Sequence, residues 1–529
     1  MFRRALLLAV FHLATLVPFA QQNDVPLQRD IYLDLERNAA CRTNTMHSGL
    51  KPLIESRADL TGVMGYRPDS SRHYYPVTEK LFKEHLVQVK YEDFRVTADP
   101  VFQFELGQDF RDPSEFADTT RFYVNSRGAL VRCDLGPRLS FQTTFYENQA
   151  IYPRYLYNYA QAQGVVPGQG RIKGFKNRAF DFAWSMGNIS WSPRRWINVQ
   201  FGHGKHFVGH GYRSMLLSDN AFNYPYLKIS YLGPGDRLQY TTIHAKLQMV
   251  GTANRLPIDA TSEPLFYWKR ATFHHLSYRL GRVELGLFET TIWHDIDADG
   301  VKPFNPMELN PVIGINTVAV GFNDPAKSLV GLDARMKMTD KFFVYGQFAL
   351  DDPEHGRHAW QGGLRCFDLF QSDLSVQLEY NTATPYTYAH RPAQIGYTHY
   401  GQPLAHPQGA YFSEAVAIAD WRISLRNKKR LIITAKVNLI EVNQDPTDDI
   451  NLGSDIFKPL EVYTGDSTVY QRQITFLDLS ASWLWNQMTN LRMTVGYRMR
   501  DITPALDYLN SGYLYATFQT GLFNKYYDL

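Results

Sequence analysis

The 529 residues carry 44 % apolar and 20 % charged side chains at a net charge of +3, so nothing global points to nucleic acid. Phe, Tyr and Trp make up 14 % of the chain, more than small soluble core domains need. Transmembrane barrels do need them, because amphipathic rings form girdles at both membrane interfaces. Cys41, Cys133 and Cys366 lie scattered without metal-ligand spacing, which excludes a disulfide scaffold or a zinc site and leaves unpaired thiols.

The N-terminus reads as a secretory signal over residues 1–20. Arg3 and Arg4 give a positive start, Ala5 to Val17 form an apolar stretch, and Ala20 precedes the expected cleavage point at Gln21, although Pro18 departs from the small-residue rule. No later run of 18 apolar residues would make a transmembrane helix. An exported chain of this kind is periplasmic, secreted or an outer-membrane barrel. From 21 to 92 the pattern predicts a helical segment: Asn44 to Leu60 is a polar–apolar mixture, and Thr78 to Val89 spaces Leu81, Phe82, His85, Leu86 and Val89 at helical intervals behind Thr78 as N-cap.

Beyond Phe94 the period becomes two. Phe102, Phe104 and Leu106 alternate with Gln103 and Glu105; Leu227, Ile229 and Tyr231 with Lys228 and Ser230; Leu374, Val376, Leu378 and Tyr380 with Ser375, Gln377, Glu379 and Asn381; and Leu477, Leu479, Ala481, Trp483 and Trp485 with Asp478, Ser480 and Ser482. Alternation alone also fits a soluble sandwich. Three further features decide for a barrel: strands long enough to cross a bilayer when tilted, short turns alternating with long connections near 150–176, 204–222, 251–266, 295–326, 385–418 and 444–473, and an amphipathic strand at the chain end to close against the first.

The predicted fold is an all-β transmembrane antiparallel barrel over 93–529, with strands starting near 94, 121, 138, 177, 196, 223, 237, 267, 283, 327, 341, 358, 374, 419, 430, 474, 490 and 511. Tyr513 to Phe523 is the closing strand, and Pro311 to Phe322, though strand-like, is placed in an external loop. Asp420, Arg422 and Arg426 share one face opposite Trp421, Ile423 and Leu425, and Asp333, Arg335 and Lys337 oppose Leu332, Ala334, Met336 and Met338. Turning such a face to lipid would cost about 2–4 kcal/mol for each midplane Arg or Lys, so the lumen is polar. The 21–92 segment is the candidate to plug or cap that lumen from the periplasm.

The most distinctive stretch is GHGKHFVGHGYRSMLLSDNA, Gly202 to Ala221. Its glycines permit close backbone approach, Arg213 offers a planar donor fork for carboxylates or sugar hydroxyls, and Asp219 and Asn220 can bond locally and fix the loop. With His206, His210 and Tyr212 these residues form one candidate ligand site; the competing reading is an internal loop folded into the barrel mouth. His203, His206 and His210 lack the helix that would align a metal set and are read as loop histidines. A second candidate lies in 385–418, where Tyr388, Arg391, His399, Tyr400 and His406 combine rigid rings with polar tips suited to sugars. Asp295, Asp297 and Asp299 open like a calcium loop, but the closing acid falls on Pro306, so the reading is a solvated acidic turn, with a loop calcium ion held by other ligands as the alternative. There is no G-x-S-x-G, H-E-x-x-H or P-loop, so no enzyme is indicated.

The run from Gly209 to Ala221 resembles the G-x-G-x-R-S-x-L-L-S-x-N-A motif of the Wzi family of outer-membrane capsule-assembly proteins. His399 to Ala410 (HYGQPLAHPQGA), Gly136 to Gln149 and Phe523 to Leu529 (FNKYYDL) look like its Bacteroidota branch, which includes gliding-motility proteins such as RemB. The resemblance implies an 18-stranded barrel with a periplasmic helical bundle and a lectin-like role at the cell surface. This chain departs from the family at Phe207-Val208-Gly209-His210-Gly211 and in the 295–326 loop. The functional expectation is a non-catalytic outer-membrane barrel that binds or organises capsular polysaccharide through external loops, with lipid and polysaccharide as partners. The alternative is a structural subunit of a gliding, secretion or barrel-assembly complex.

Overall fold

The computed structural model describes residues 21–66, 75–250, 266–297, 300–322, 325–425, 430–446, 450–461, 468–504, 509–521 and 523–529. The expected signal at 1–20, Asp299 and Arg426 lie outside these residues. The wall is a closed antiparallel barrel of 18 strands. In chain order they are β1 Phe94–Asp109, β2 Phe122–Leu135, β3 Leu139–Ile151, β4 Ala179–Arg194, β5 Ile197–Gly204, β6 Tyr224–Leu232, β7 Leu238–Val250, β8 Phe266–Leu280 and β9 Val283–Asp297. The second half is β10 Lys327–Lys337, β11 Phe342–Asp352, β12 Arg357–Leu369, β13 Leu374–Ala383, β14 Phe412–Ser424, β15 Arg430–Gln444, β16 Tyr470–Asn486, β17 Leu491–Thr503 and β18 Ser511–Gln519. Pairing of β18 with β1, Phe518 opposite Phe104 and Leu514 opposite Gln108, removes the last open edge.

Period-two alternation sorts the side chains as the sequence predicts. On β5, Asn198 and Gln200 are fully buried in the lumen while Phe201 is 67 % exposed on the outside. Leu106, Phe145, Ile189, Trp191 and Leu332 likewise face outward, whereas Gln103, Glu105, Asp333, Arg335, Asp420 and Arg422 are buried inward. An apolar exterior around a charged lumen is the polarity of a protein whose outer solvent is lipid. The chain is an outer-membrane barrel.

The predicted strand starts fall within a few residues of those observed, with one large exception. β14 begins at Phe412, not near 419. Its outward residues are Ala415, Ala417 and Ala419, and its inward ones include Val416 and Ile418 beside Glu414, so the polar–apolar alternation that marks other strands is absent there.

The first 46 described residues run inside the barrel at its short-turn end, which is periplasmic in outer-membrane barrels. They carry one α-helix, α1 Arg29–Ala40, bearing Asp30, Asp34, Glu36 and Arg37. Each of these charges meets a partner on the wall or its short turns. Asp34 pairs with Arg422, Asp30 with Arg492 at 2.6 Å, Glu36 with Arg365, and Arg37 with Asp373 at 2.5 Å. Arg29 completes the set on Asp420 at 2.5 Å. Further along, Glu284 on β9 accepts the backbone N–H groups of Ser48 and Gly49 at 3.0 and 3.1 Å.

Two helical expectations differ from the structure here. Asn44 to Leu60 holds a 3-10 turn, Glu55–Arg57, and the short extended pair Leu50–Lys51 instead, because Ser48 and Gly49 bond to Glu284 of the wall and Leu50 and Lys51 pair with the 207–208 segment. The helix expected over Thr78–Val89 is α2 Pro76–Phe82, with Pro76 rather than Thr78 starting it. Val87–Tyr91 instead forms a hairpin with the start of β1, Val89 opposite Val96, and lies exposed outside the lumen. The chain end differs too. β18 stops at Gln519, and residues 523–529 turn back into the lumen, where Phe523 packs against Tyr146 and Trp184.

Candidate functional site

The loop after β5 enters the barrel instead of rising from it. Phe207 and Val208 pair with Lys51 and Leu50 of the N-terminal segment, so two elements far apart in sequence form a small sheet within the lumen. Gly209 sits at φ +119°, and a Cβ there would lie 2.2 Å from Gln347. At Gly211 a Cβ would meet Gln361 and Glu379 at 2.6 Å and the Arg213 carbonyl at 2.8 Å; glycine is therefore required at 209 by its left-handed backbone and at 211 by the close carbonyl.

Glu379 accepts the N–H groups of Tyr212 and Arg213 at 2.7 and 3.0 Å. The Arg213 guanidinium, 1 % exposed, donates to Glu414 at 2.9 Å and to the backbone oxygen of Asp528 at 2.8 Å. Ser214 Oγ donates to the Val208 carbonyl and accepts from Leu216 and Leu217 N–H, which fixes the turn that drives Met215, Leu216 and Leu217 into the apolar core. Asp219 accepts from the Tyr526 hydroxyl at 2.7 Å and Asn524 at 3.0 Å, and Asn220 donates to the Pro403 carbonyl at 3.4 Å.

The 384–411 connection closes over this loop from the other side. Tyr388 and Tyr397 stack with centroids 5.7 Å apart, and their hydroxyls donate to the carbonyls of Met215 and Leu216 at 2.7 and 2.6 Å. His399 accepts the Gln248 N–H at Nδ1 and donates from Nε2 to the Asn223 carbonyl, a pattern only the neutral ring makes; burial pushes its pKa down to about 3. His406 accepts from Gln408 N–H at Nδ1 and donates from Nε2 to Glu414 at 2.7 Å, and burial lowers its pKa against the pull of that carboxylate.

The predicted residues thus divide by position. His206, His210, Arg213, Asp219, Asn220, Tyr388, His399 and His406 are buried among protein partners at the barrel mouth. Tyr212 is half-buried, its hydroxyl on Asp528 at 2.7 Å. Arg391 and Tyr400 reach the outer face of the loops. Arg391 is exposed and faces Glu461 at 3.6 Å, and half-exposed Tyr400 packs on Phe222 with centroids 4.7 Å apart. His203, His206 and His210 turn to Ser185, Tyr224 and Ser48 respectively, so they converge on no common point. Asp295 pairs with Lys246 at 3.0 Å, and no group of three His, Cys, Asp or Glu among the described residues is placed to hold a metal ion.

Two features were not read from the sequence. One is α3, Arg154–Gln163, which brings half-exposed Tyr157 and Tyr159 to the same rim; Pro153 before it and Gly164 at φ +72° after it are the punctuation that could have found it. The other is a chamber of about 330 Å³ below the closed mouth, bounded by α1 and the 523–529 tail. Its lining is densely charged, with Lys51, Lys436, Arg498 and Lys525 facing Glu105 and Asp478.

No family model matches the chain, and no curated protein matches it. Among solved structures, the chain is similar to Wzi from Escherichia coli, described as an outer-membrane carbohydrate-binding β-barrel involved in group 1 capsule assembly. The match has 14 % identity and a TM-score of 0.54 and covers 96 % of this chain and 100 % of that one. The fold is Wzi-like. Weaker likenesses are OpdQ of Pseudomonas aeruginosa, at 9 % identity, TM-score 0.43, and 82 % and 99 % coverage, and OccAB3 of Acinetobacter baumannii, at 10 %, 0.42, and 82 % and 100 %.

Proposed function

We propose that this Wzi-like barrel is a non-catalytic receptor for cell-surface polysaccharide, which it holds on the rim formed by α3 and the 384–411 connection. One observation carries the reading: the mouth is filled by the 205–223 loop bonded to 384–411, so the connections are braced into a fixed surface rather than left around an open channel. Half-exposed Tyr157, Tyr159, Tyr386, Tyr400 and Tyr411 offer flat apolar faces to sugar rings, and Arg391 offers donors to hydroxyls or acidic groups. Rigid rings on a pre-set surface bind with little ordering cost.

The test is retention of purified capsular polysaccharide by the detergent-solubilised barrel. Arg391→Ala and Tyr400→Ala should each weaken retention several-fold while leaving thermal unfolding unchanged. Retention that survives the pair, or a stoichiometric protein complex recovered without sugar, would favour a structural subunit of a surface machine instead.

A further inference from the structure

Strands β7, β8 and β9 break the rule that the outer face is apolar. Tyr240, Thr242 and His244 on β7, Thr272 and His274 on β8, and Glu289 on β9 all point out of the barrel. Their chain neighbours fix this direction: Ile243, Phe273 and Phe288 lie in the lumen core, and His275 meets Asp333 inside. Register groups the outward residues into one patch, with Thr242 and Glu289 on either side of His274 and His244 opposite Thr272. Glu289 lies six residues along its strand from the short turn, as do Phe348 on β11 and Tyr380 on β13, both turned outward. The patch is therefore at membrane height.

Yet Thr272 and His274 are fully buried. Residues 300–322, expected in an external loop, fold back down the outside of the wall and cover them. Thr272 Oγ1 donates to the Glu308 carbonyl and the Tyr240 hydroxyl to the Pro311 carbonyl, each at 2.7 Å. Glu289 accepts the N–H groups of Gly314 and Thr317 at 2.5 and 2.8 Å and the Thr317 hydroxyl at 2.7 Å, which caps the short helix Ile315–Val320. That helix, the reverse of the strand-like reading of Pro311 to Phe322, starts where Gly314 turns at φ +88°.

The covering segment has inverted polarity. Every exposed side chain from Val301 to Val320 is apolar, the largest being Val301, Phe304, Leu309, Val312, Ile315 and Val318, while Glu308 and Asn316 are buried against the wall. Val318, at the foot of the segment, is 88 % exposed. A loop in water shows the opposite pattern. Its backbone goes toward meeting the demand of hydrocarbon that polar groups be paired: Pro303, Pro306 and Pro311 have no N–H, the Pro303 carbonyl accepts from Arg270 at 3.2 Å, and the N–H groups of Asn305, Met307 and Val312 donate to Glu308, Asn305 and Asn310 side chains.

We propose that residues 300–322 lie in the membrane, with lipid acyl chains packed on Val301, Phe304, Leu309, Val312, Ile315 and Val318, and that the segment completes the lipid-facing wall over the polar patch of β7–β9. The test uses the full chain in lipid vesicles, with Cys41→Ser, Cys133→Ser and Cys366→Ser and one nitroxide-labelled cysteine at a time. Labels at Phe304→Cys and Val318→Cys are compared with Leu332→Cys on the outer wall and Arg391→Cys on the rim. Labels at 304 and 318 should match that at 332, relaxing readily with oxygen and several-fold less with a water-soluble nickel chelate. Nickel access equal to that at 391 would overturn the proposal by placing the segment in water. Protection from both reagents would overturn it by placing protein, not lipid, on this face. The two control positions report in the same samples whether the barrel has folded.

Discussion

Arg213 shows what the conspicuous residues of the 202–221 stretch do in the folded chain. Its fork is spent on buried Glu414 and Asp528, so removing it strands two buried carboxylates. Arg213→Met should lower stability by about 3–5 kcal/mol in denaturant titrations of the detergent-folded barrel. Arg213→Lys should recover only part of that, because an ammonium cannot reproduce the planar pair. His399 adds a pH dependence of known sign. Its folded pKa near 3 lies below the unfolded value of about 6.5, so the unfolded chain takes up a proton the folded one refuses as pH falls between them. Its stabilising contribution is whole above pH 6.5 and lost progressively toward pH 3. His399→Gln should narrow the gap between unfolding midpoints measured at pH 7 and pH 4. Sequence could single out Arg213, His399 and Asp219 as unusual, but it could not give their direction: inward and outward loops of a water-filled barrel have the same polar composition, and only the wall residues Glu379, Gln347 and Glu414 distinguish them.

At the level of elements, legibility followed the solvent contrast. β1, β6, β13 and β16 were readable residue by residue because one face meets lipid and the other charge, whereas the first half of β14, with alanines outward, was not. α1 falls within the 21–92 segment read as helical, but its bounds were not picked out. Ile31, Tyr32, Leu35 and Ala39 do form an apolar stripe, yet buried Asp34 and Glu36 interrupt the pattern because the lumen wall supplies charged partners. The closing strand was read on to Phe523 but stops at Gln519, and the ion pairs of the 523–529 tail show what draws the chain end inward instead. Burial would raise the Asp528 pKa, but Arg213 and Lys436 hold it below the ordinary carboxylate value. The depressed pKa means the docking contribution is present above about pH 4 and is lost as pH falls through the folded value. Carboxypeptidase should therefore spare Leu529 at pH 5, and trim it readily there in Asp528→Asn, where the pairing is already gone.

For the whole molecule, the lumen is obstructed at two heights by unrelated parts of the chain. The N-terminal segment is tied by charge to strands around the short-turn end, and the 205–223 loop is sealed by apolar packing at the other end. An 18-stranded wall without them would enclose a water-filled channel. Since each obstruction has its own contacts with the wall, neither depends wholly on the other; among the described residues they meet through the short pairing of Leu50-Lys51 with Phe207-Val208 and the adjoining Gly209 N–H to Gly49 carbonyl bond at 2.6 Å. In planar bilayers the intact chain should show no large conductance. Deleting residues 21–66 alone, or replacing 206–221 with a short glycine linker alone, should leave the current near baseline, because the remaining obstruction still spans the lumen. Only the double deletion should give stable single-channel steps. Large steps from the intact chain would mean that these contacts open readily, and a barrel that admits solute so easily would be a pore first and a surface receptor second.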